Sequence, residues 1–350
     1  MKSPRKIVGT LLLFVLMLSL LIGCSSTPAN NTASAPADSS GTASAQTPSD
    51  AVTLSLNHVG ATEHPYQYGS LKFAELVNEK TNGGIKVDVF PASQIASGAK
   101  AVEFVQMGTL DIALESTMSL SNFVSEADVL NLPFLFNDTE QAFKVLDGEF
   151  GQYLGEIAEQ KGFKILAWWD NGFRNISNSK RPITKPEDLK GLKIRVPESK
   201  VFLATFETLG AVPTPMAISE VFSAMQLGTV DGQENPGAVY INNKYNEVNK
   251  YYSVTHHIFT AEPLIMSTDK FNSLTEDQQK AILEAAQEAG VYEREVSAEA
   301  EQKDLETIRA AGVEVNIVED MTPFREAVGP VYDQFKGDFG TLLEKIEAAK

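Results

Sequence analysis

An α/β fold in the form of a two-lobed clamp is what this sequence predicts, on three observations. Segments of strand and helix period alternate along the chain, and the alternation then repeats. Extended stretches join the two halves. Near the C-terminus a helical pattern of unusual length runs over residues 274–310. Strand–helix alternation implies a mainly parallel sheet. Two such halves leave room for a ligand between them, at the carboxyl ends of the strands. Closure would then be a hinge motion.

Taken in order, Val52, Leu54 and Leu56 alternate and predict a strand over 52–59. Helical spacing over 68–80 stops at Thr81-Asn82-Gly83-Gly84. Residues 85–90 alternate as a strand up to Pro91, 99–107 read as helix and 110–114 as strand. In the second run, 130–136 form an apolar turn around Pro133, and 139–160 form two helical pieces split near Gly148. A strand over 163–169, a turn at Asn171-Gly172 and a second extended piece over 173–177 follow. Strands are then expected over 192–196, 252–256 and 264–267, with helices over 200–209 and 219–227. Gly290 is the one soft point of the long helical pattern. Beyond it, 313–317 read as strand and 323–349 mostly as helix. No internal repeat relates the halves.

The N-terminus carries Lys2, Arg5 and Lys6, then an apolar run from Ile7 to Ile22 broken only by Gly9, Thr10 and Ser19. A charged start before a short apolar run reads as an export signal. The run ends in Leu21-Ile22-Gly23-Cys24, and such an ending resembles the bacterial lipobox, in which the thiol is acylated and the chain is cut just before it. Residues 1–23 are therefore expected to be a signal peptide and Cys24 a lipidation site, a tether without a spanning helix. Cys24 is the only cysteine, so its lipidation leaves no disulfide and no Cys-based metal site. Residues 24–50 are Ser, Thr, Ala, Pro and Asn with almost no large apolar side chain, the composition of a flexible tether.

The remaining chain of roughly 300 residues is long enough for two lobes. The formal charge is −17, and loss of the leader's three positive charges takes it to −20. That balance argues against nucleic acid and against an anionic membrane surface. It permits an anionic ligand, because a local field can oppose the global one.

One stretch is basic. Arg174, Lys180, Arg181, Lys185, Lys190, Lys193, Arg195 and Lys200 face only Glu187, Asp188 and Glu198. Most of those lysines suit a solvated surface. Arg195 differs, because it lies inside Leu192-Lys193-Ile194-Arg195-Val196, just before Pro197, near the carboxyl end of an expected core strand. A buried arginine needs an anionic partner, and its planar fork fits a carboxylate through two parallel hydrogen bonds. From composition the partner is equally an internal acid or a ligand. Arg174 follows the Asn171-Gly172-Phe173 turn, and Asn235 in Asp231–Pro236 offers an amide that both donates and accepts. An Asn before Pro is also ordinary turn chemistry. His58, His64, His256 and His257 show no metal-binding spacing. No phosphate loop, G-x-G-x-x-G or G-x-S-x-G occurs, so neither cofactor nor metal is expected. Trp168-Trp169 read as core and cleft wall.

Six stretches, in this order and spacing, carry a resemblance. They are His64-Pro65-Tyr66, Gly108-Thr109-Leu110-Asp111, the apolar 131–136 segment, Trp169–Asn175, Asp188–Pro197 and Asp231–Pro236. The chain from Val52 onward resembles the substrate-binding subunits of tripartite ATP-independent periplasmic (TRAP) transporters, the DctP-like group. The resemblance implies a periplasmic-binding-protein-like clamp with a ligand cleft between lobes, hinge strands and a long spanning helix. It implies that Arg195 forms the salt bridge with a ligand carboxylate, with Arg174 as a second cleft arginine and Asn235 beside it. It extends, through the loops after the first and third strands, to His58 and Glu115. Glu198 lies where relatives vary, as an acceptor for a ligand hydroxyl or a residue of the cleft rim. One lobe would hold 51–170 plus 262–300, the other 171–261 plus 301–350.

The function implied is extracytoplasmic capture of a carboxylate-containing organic acid, a C4-dicarboxylate or a sugar acid such as a uronate. Delivery would be to TRAP membrane subunits, from a lipid-anchored position at the cell surface or in the periplasm. A sensory ligand-binding protein would use the same capture chemistry. An exported enzyme acting on an organic acid would need a positioned base, and nothing in the sequence pairs His58 or Glu115 with a partner for that role.

Overall fold

The computed structural model describes residues 51–350. The expected signal peptide, Cys24 and the tether lie outside the described residues. The strands are β1 (Val52–His58), β2 (Ile85–Phe90), β3 (Ile112–Leu114), β4 (Phe163–Asn178), β5 (Lys193–Val196), β6 (Val212–Pro215), β7 (Gly232–Asn235), β8 (Tyr251–Ser267) and β9 (Glu314–Ile317). All belong to one sheet of order β2-β1-β3-β8-β4-β7-β5-β6, with β9 on β8. The β1–β2, β1–β3, β5–β6 and β5–β7 pairs are parallel, whereas β4 and β8 pair antiparallel with each other, and also with β7 and β3 respectively. The sheet is thus mixed rather than mainly parallel. Two parallel wings are joined by the β4–β8 ribbon.

That ribbon corrects the sequence reading twice. The pieces expected over 163–169 and 173–177 are one 16-residue strand, and those over 252–256 and 264–267 are one 17-residue strand. Both are buried along almost their whole length, so no inside–outside alternation marks where they continue. The expected Asn171-Gly172 turn is an irregularity where the register with β8 shifts between Asp170 and Gly172. Gly172 takes φ +98° there, a conformation that suits glycine. The short β6 and β7 went unread because Pro213, Pro215 and Gly232 look like turn residues.

The long helix Glu276–Ala310 is continuous and begins in a capping box between Thr275 and Gln278. Gly290 does not soften it. A Cβ there would lie 3.0 Å from the Trp169 indole, and one at Gly69 on the helix Pro65–Lys80 would lie 2.8 Å from the same ring. The two glycines let both helices close over Trp169. Trp168 and Trp169 are buried in the core, and neither lines the cleft described below, which corrects half of their expected role. The helix Gly329–Ala349 adds Val331, Phe335, Phe339, Leu342 and Ile346 to a cluster that contains both Phe143 and Phe202. The Tyr332 hydroxyl and the Lys350 ammonium donate to the carbonyls of Pro133 and Leu135, each over 2.6–2.8 Å. The C-terminal helix therefore leans on the first wing as well as the second.

Candidate functional site

Strands β4, β7 and β5 are neighbours, and they bring three candidates together: Arg174 on β4, Asn235 at the end of β7 and Arg195 on β5. Glu115, just after β3, and Glu198, just after β5, join them around one cleft with a cavity volume of about 50 Å³. The cleft is shut across its mouth. Asn122 Nδ2 donates to the Glu198 carbonyl over 3.0 Å, Ser199 Oγ to Asp128 Oδ1 over 2.7 Å, and Ser97 Oγ meets Ser219 Oγ at 3.0 Å.

Arg195 is 3% exposed, and among the described residues no carboxylate stands within 4 Å of it. Its Nε and Nη2 both donate to the Met216 carbonyl, over 3.0 and 2.6 Å. The remaining N–H donors, on Nη1 and Nη2, make no bond among the described residues. Burial pushes the guanidinium pKa down to about 10, and the acids nearby only partly oppose it. It stays charged at neutral pH, so its solvation is replaced by one carbonyl alone.

Arg174 is the opposite case. It is 1% exposed, and its fork closes on Glu234, with Nε to Oε2 at 2.5 Å and Nη2 to Oε1 at 2.9 Å. Nη2 also donates to the Glu234 carbonyl over 2.7 Å, and the guanidinium lies 5.2 Å from the Phe202 ring centre. His257 Nε2 stands 3.3 Å from Glu234 Oε2, with its Nδ1 on Thr255 Oγ1. Burial works to raise the Glu234 carboxyl, but Arg174 and His257 overrule it and hold it below the ordinary range. Arg174 lines the cleft, as expected from the sequence, but its charge is already neutralised from within.

Asn235 lines the cleft with its amide nitrogen held on Gln233 Oε1, and Gln233 in turn donates to Ser177 Oγ over 2.8 Å. Glu115 is buried with Oε1 unpartnered, and burial together with Glu262 raises its pKa well above the carboxylate range. Glu198 lines the cleft at its exposed rim. His58 does not. It is buried with Nε2 on Gln67 Oε1 at 2.9 Å and its ring edge-on to Tyr66, so Val59 reaches the cleft in its place.

Three residues of the site escaped the sequence reading. Glu234 sits one place before Asn235, and only the β4–β7 pairing shows that it faces Arg174. Tyr66 and Glu262 line the cleft side by side, the Tyr66 hydroxyl facing the Glu262 carboxyl. Burial lifts Glu262 from its ordinary 4.5 to about 8 against the pull of Arg174. Across that window the folded chain keeps a proton that the unfolded chain releases, so stability falls as pH rises. Asp170, pushed up by burial to about 7, acts in the same direction. Glu262→Gln is expected to flatten the decline in urea midpoint between pH 6 and 8.5. A slope equal to that of the parent chain would remove Glu262 from this account.

A mixed sheet whose two wings share a long antiparallel ribbon, with a closed polar cleft where the wings meet, is the architecture of a two-lobed solute-binding protein. The chain belongs to the bacterial extracellular solute-binding protein family 7, the DctP family, whose model matches residues 56–338. It is 40% identical to a solute-binding protein of Verminephrobacter eiseniae over 88% of this chain and 91% of that one. A TRAP periplasmic solute-binding protein of a Polaromonas species, solved with D-erythronate, superposes with a TM-score of 0.83 at 38% identity, over 85% of this chain and 98% of that one. One from Sulfurospirillum deleyianum, solved with succinate, gives 0.81 at 34% identity, over 86% and 100%. Other similar structures hold β-D-glucuronate, β-D-galacturonate and galactonate. These relatives are binding subunits of transporters rather than enzymes. Among the described residues no helix is long and apolar enough to cross a membrane.

Proposed function

We propose that this protein captures a monocarboxylic sugar acid, an aldonate or uronate, and presents it to the membrane subunits of a TRAP transporter. The observation that carries the reading is the contrast between the two cleft arginines. Arg195 is a buried cation with no carboxylate beside it, whereas Arg174 is neutralised by Glu234. One carboxylate therefore satisfies the cleft. Glu115, raised by burial above the carboxylate range, and Glu262, raised to about 8, suit ligand hydroxyls and disfavour a second anionic end. Asn235 and Glu198 add further polar partners, and His58 drops out of the ligand set.

In this reading the lobes are 51–170 with 262–300 and 171–261 with 301–350, hinged on β4 and β8. Closing them removes water from the Arg195–carboxylate pair and strengthens it. The ligand must favour the closed state by differential affinity, because otherwise the membrane subunits would receive no signal. Cys24 would tether the protein to the membrane by its lipid, with 24–50 as the leash. A dicarboxylate is the second reading, favoured by the succinate-bound relative.

The test is a thermal-shift screen of the chain from residue 50 onward against aldonates, uronates, C4-dicarboxylates and neutral sugars. Ligand at about 100 times its Kd stabilises the fold by about 2.7 kcal/mol. Shifts from aldonates or uronates, absent with succinate, are expected. Shifts from dicarboxylates alone would overturn the monocarboxylate reading, and shifts from neutral sugars alone would remove Arg195 as the anchor.

A further inference from the structure

A second cavity lies where the β4–β8 ribbon meets the long helix Glu276–Ala310. It has a cavity volume of about 250 Å³, partly open to solvent, and shares only Asn171 with the acid cleft. Phe173, Tyr252, Val254 and Leu305 give it apolar walls. Three acids stand among them: Asp170 from β4, and Glu301 and Asp304 one turn apart on the helix. They are graded in depth, with Asp170 4% exposed, Asp304 half-buried and Glu301 at the exposed rim.

These carboxylates lack counter-charges. Among the described residues no Lys, Arg or His nitrogen lies within 4 Å of any of the three, and the nearby Arg294 is spent on Asp147 and the Trp168 carbonyl. Ser297 and the Gly172 N–H support the Asp170 carboxyl, but among the described residues its Oδ1 has no close hydrogen-bond partner, and the Asp170 N–H is taken by a further acid, Glu293, at 2.8 Å. Asp304 is pressed against the backbone at Gly237, where a Cβ would come within 2.5 Å of Oδ2. His256 lines the same cavity from its exposed edge, and the partial burial of its ring lowers its pKa. Burial also pushes Asp170 and Asp304 up to about 7 each, so a bound cation would draw them back to the charged form.

A bare metal ion matches this cavity poorly. Its apolar walls cannot replace a hydration shell, and among the described residues no three acids, histidines or cysteines converge as ligands. A cation with a hydrocarbon body matches it on both counts. Ammonium N–H groups would pair with the carboxylates while the half-buried Phe173 ring supplies a cation–π face. We infer that this cavity binds a compact organic ammonium compound through Asp170, Glu301 and Asp304, at a site separate from the acid cleft.

Isothermal titration of the full chain at pH 7.5 with putrescine and with n-butylamine tests this, with 1,4-butanediol as the neutral match. Saturable heat is expected from at least one of the two cations and none from the diol. Glu301→Gln combined with Asp304→Asn should weaken the cation at least about tenfold, about 1.4 kcal/mol, while the variant still melts cooperatively. Should the double variant unfold, Glu301→Gln alone at the exposed rim gives the same comparison. No heat from either cation, binding of the diol as tight as that of the amines, or amine affinity unchanged in the variants would each overturn the proposal.

Discussion

Arg195→Ala is expected to weaken binding of the captured acid by about 30- to 4,000-fold, the equivalent of about 2–5 kcal/mol for one partner removed from a desolvated ion pair. The size follows from the isolation of the guanidinium. It has one carbonyl, Met216, for a partner, and burial has already moved its pKa to about 10. A ligand carboxylate would supply the charge that the protein withholds. The same isolation predicts the sign of the effect on the empty protein. Deleting a buried cation that has no anionic partner removes a desolvation penalty rather than an ion pair, so the unliganded variant should melt no lower than the parent. Arg195→Lys keeps the charge and loses the planar fork, and it should recover only part of the affinity. Calorimetry with the best acid from the screen, beside melts of the empty proteins, reads all three outcomes. Unchanged affinity in Arg195→Ala would sink the assignment.

Arg195 was legible because its cues are local. An arginine inside Leu192–Val196, ahead of Pro197, sits at the end of a core strand whatever the rest of the chain does, and β5 runs from Lys193 to Val196. The helices and the outer strands were legible for the same reason, since their period and their stop signals lie within a dozen residues. The β4–β8 ribbon was not, because a strand buried on both faces carries no alternation to read. Nor was the state of Arg174. Its partner Glu234 lies sixty positions away, and the two meet only because β7 pairs antiparallel with β4, setting Asn175 opposite Asn235 and Ile176 opposite Glu234. Sequence shows a basic residue near a cleft. Whether its charge is spent depends on strand register. His58 is the converse case, since the end of a strand specifies a neighbourhood but not a face, and its ring turns to Gln67.

Glu234→Ala is expected to cost about 3–5 kcal/mol of folding stability, the penalty for breaking a buried ion pair from one side. Arg174 would keep its charge at 1% exposure with only a main-chain carbonyl near it, and His257 would lose the acid that faces its Nε2. The contrast with Arg195 is the point of the experiment. Both arginines are buried in one cleft wall, yet one stands alone and the other completes a network, so truncation at the two places should act on different quantities. Removing Arg195 should reduce affinity and spare stability, and removing Glu234 should reduce stability first. Replacing both members of the inner pair, Arg174→Met with Glu234→Leu, should restore much of the lost stability, because no uncompensated charge is left behind. Urea midpoints of the parent, Arg174→Met, Glu234→Leu and the double variant close the cycle that measures the coupling. If Glu234→Ala melts like the parent, the Arg174 charge is solvated by some other route, the cleft holds two available cations instead of one, and the case for a monocarboxylate over a dicarboxylate falls with it.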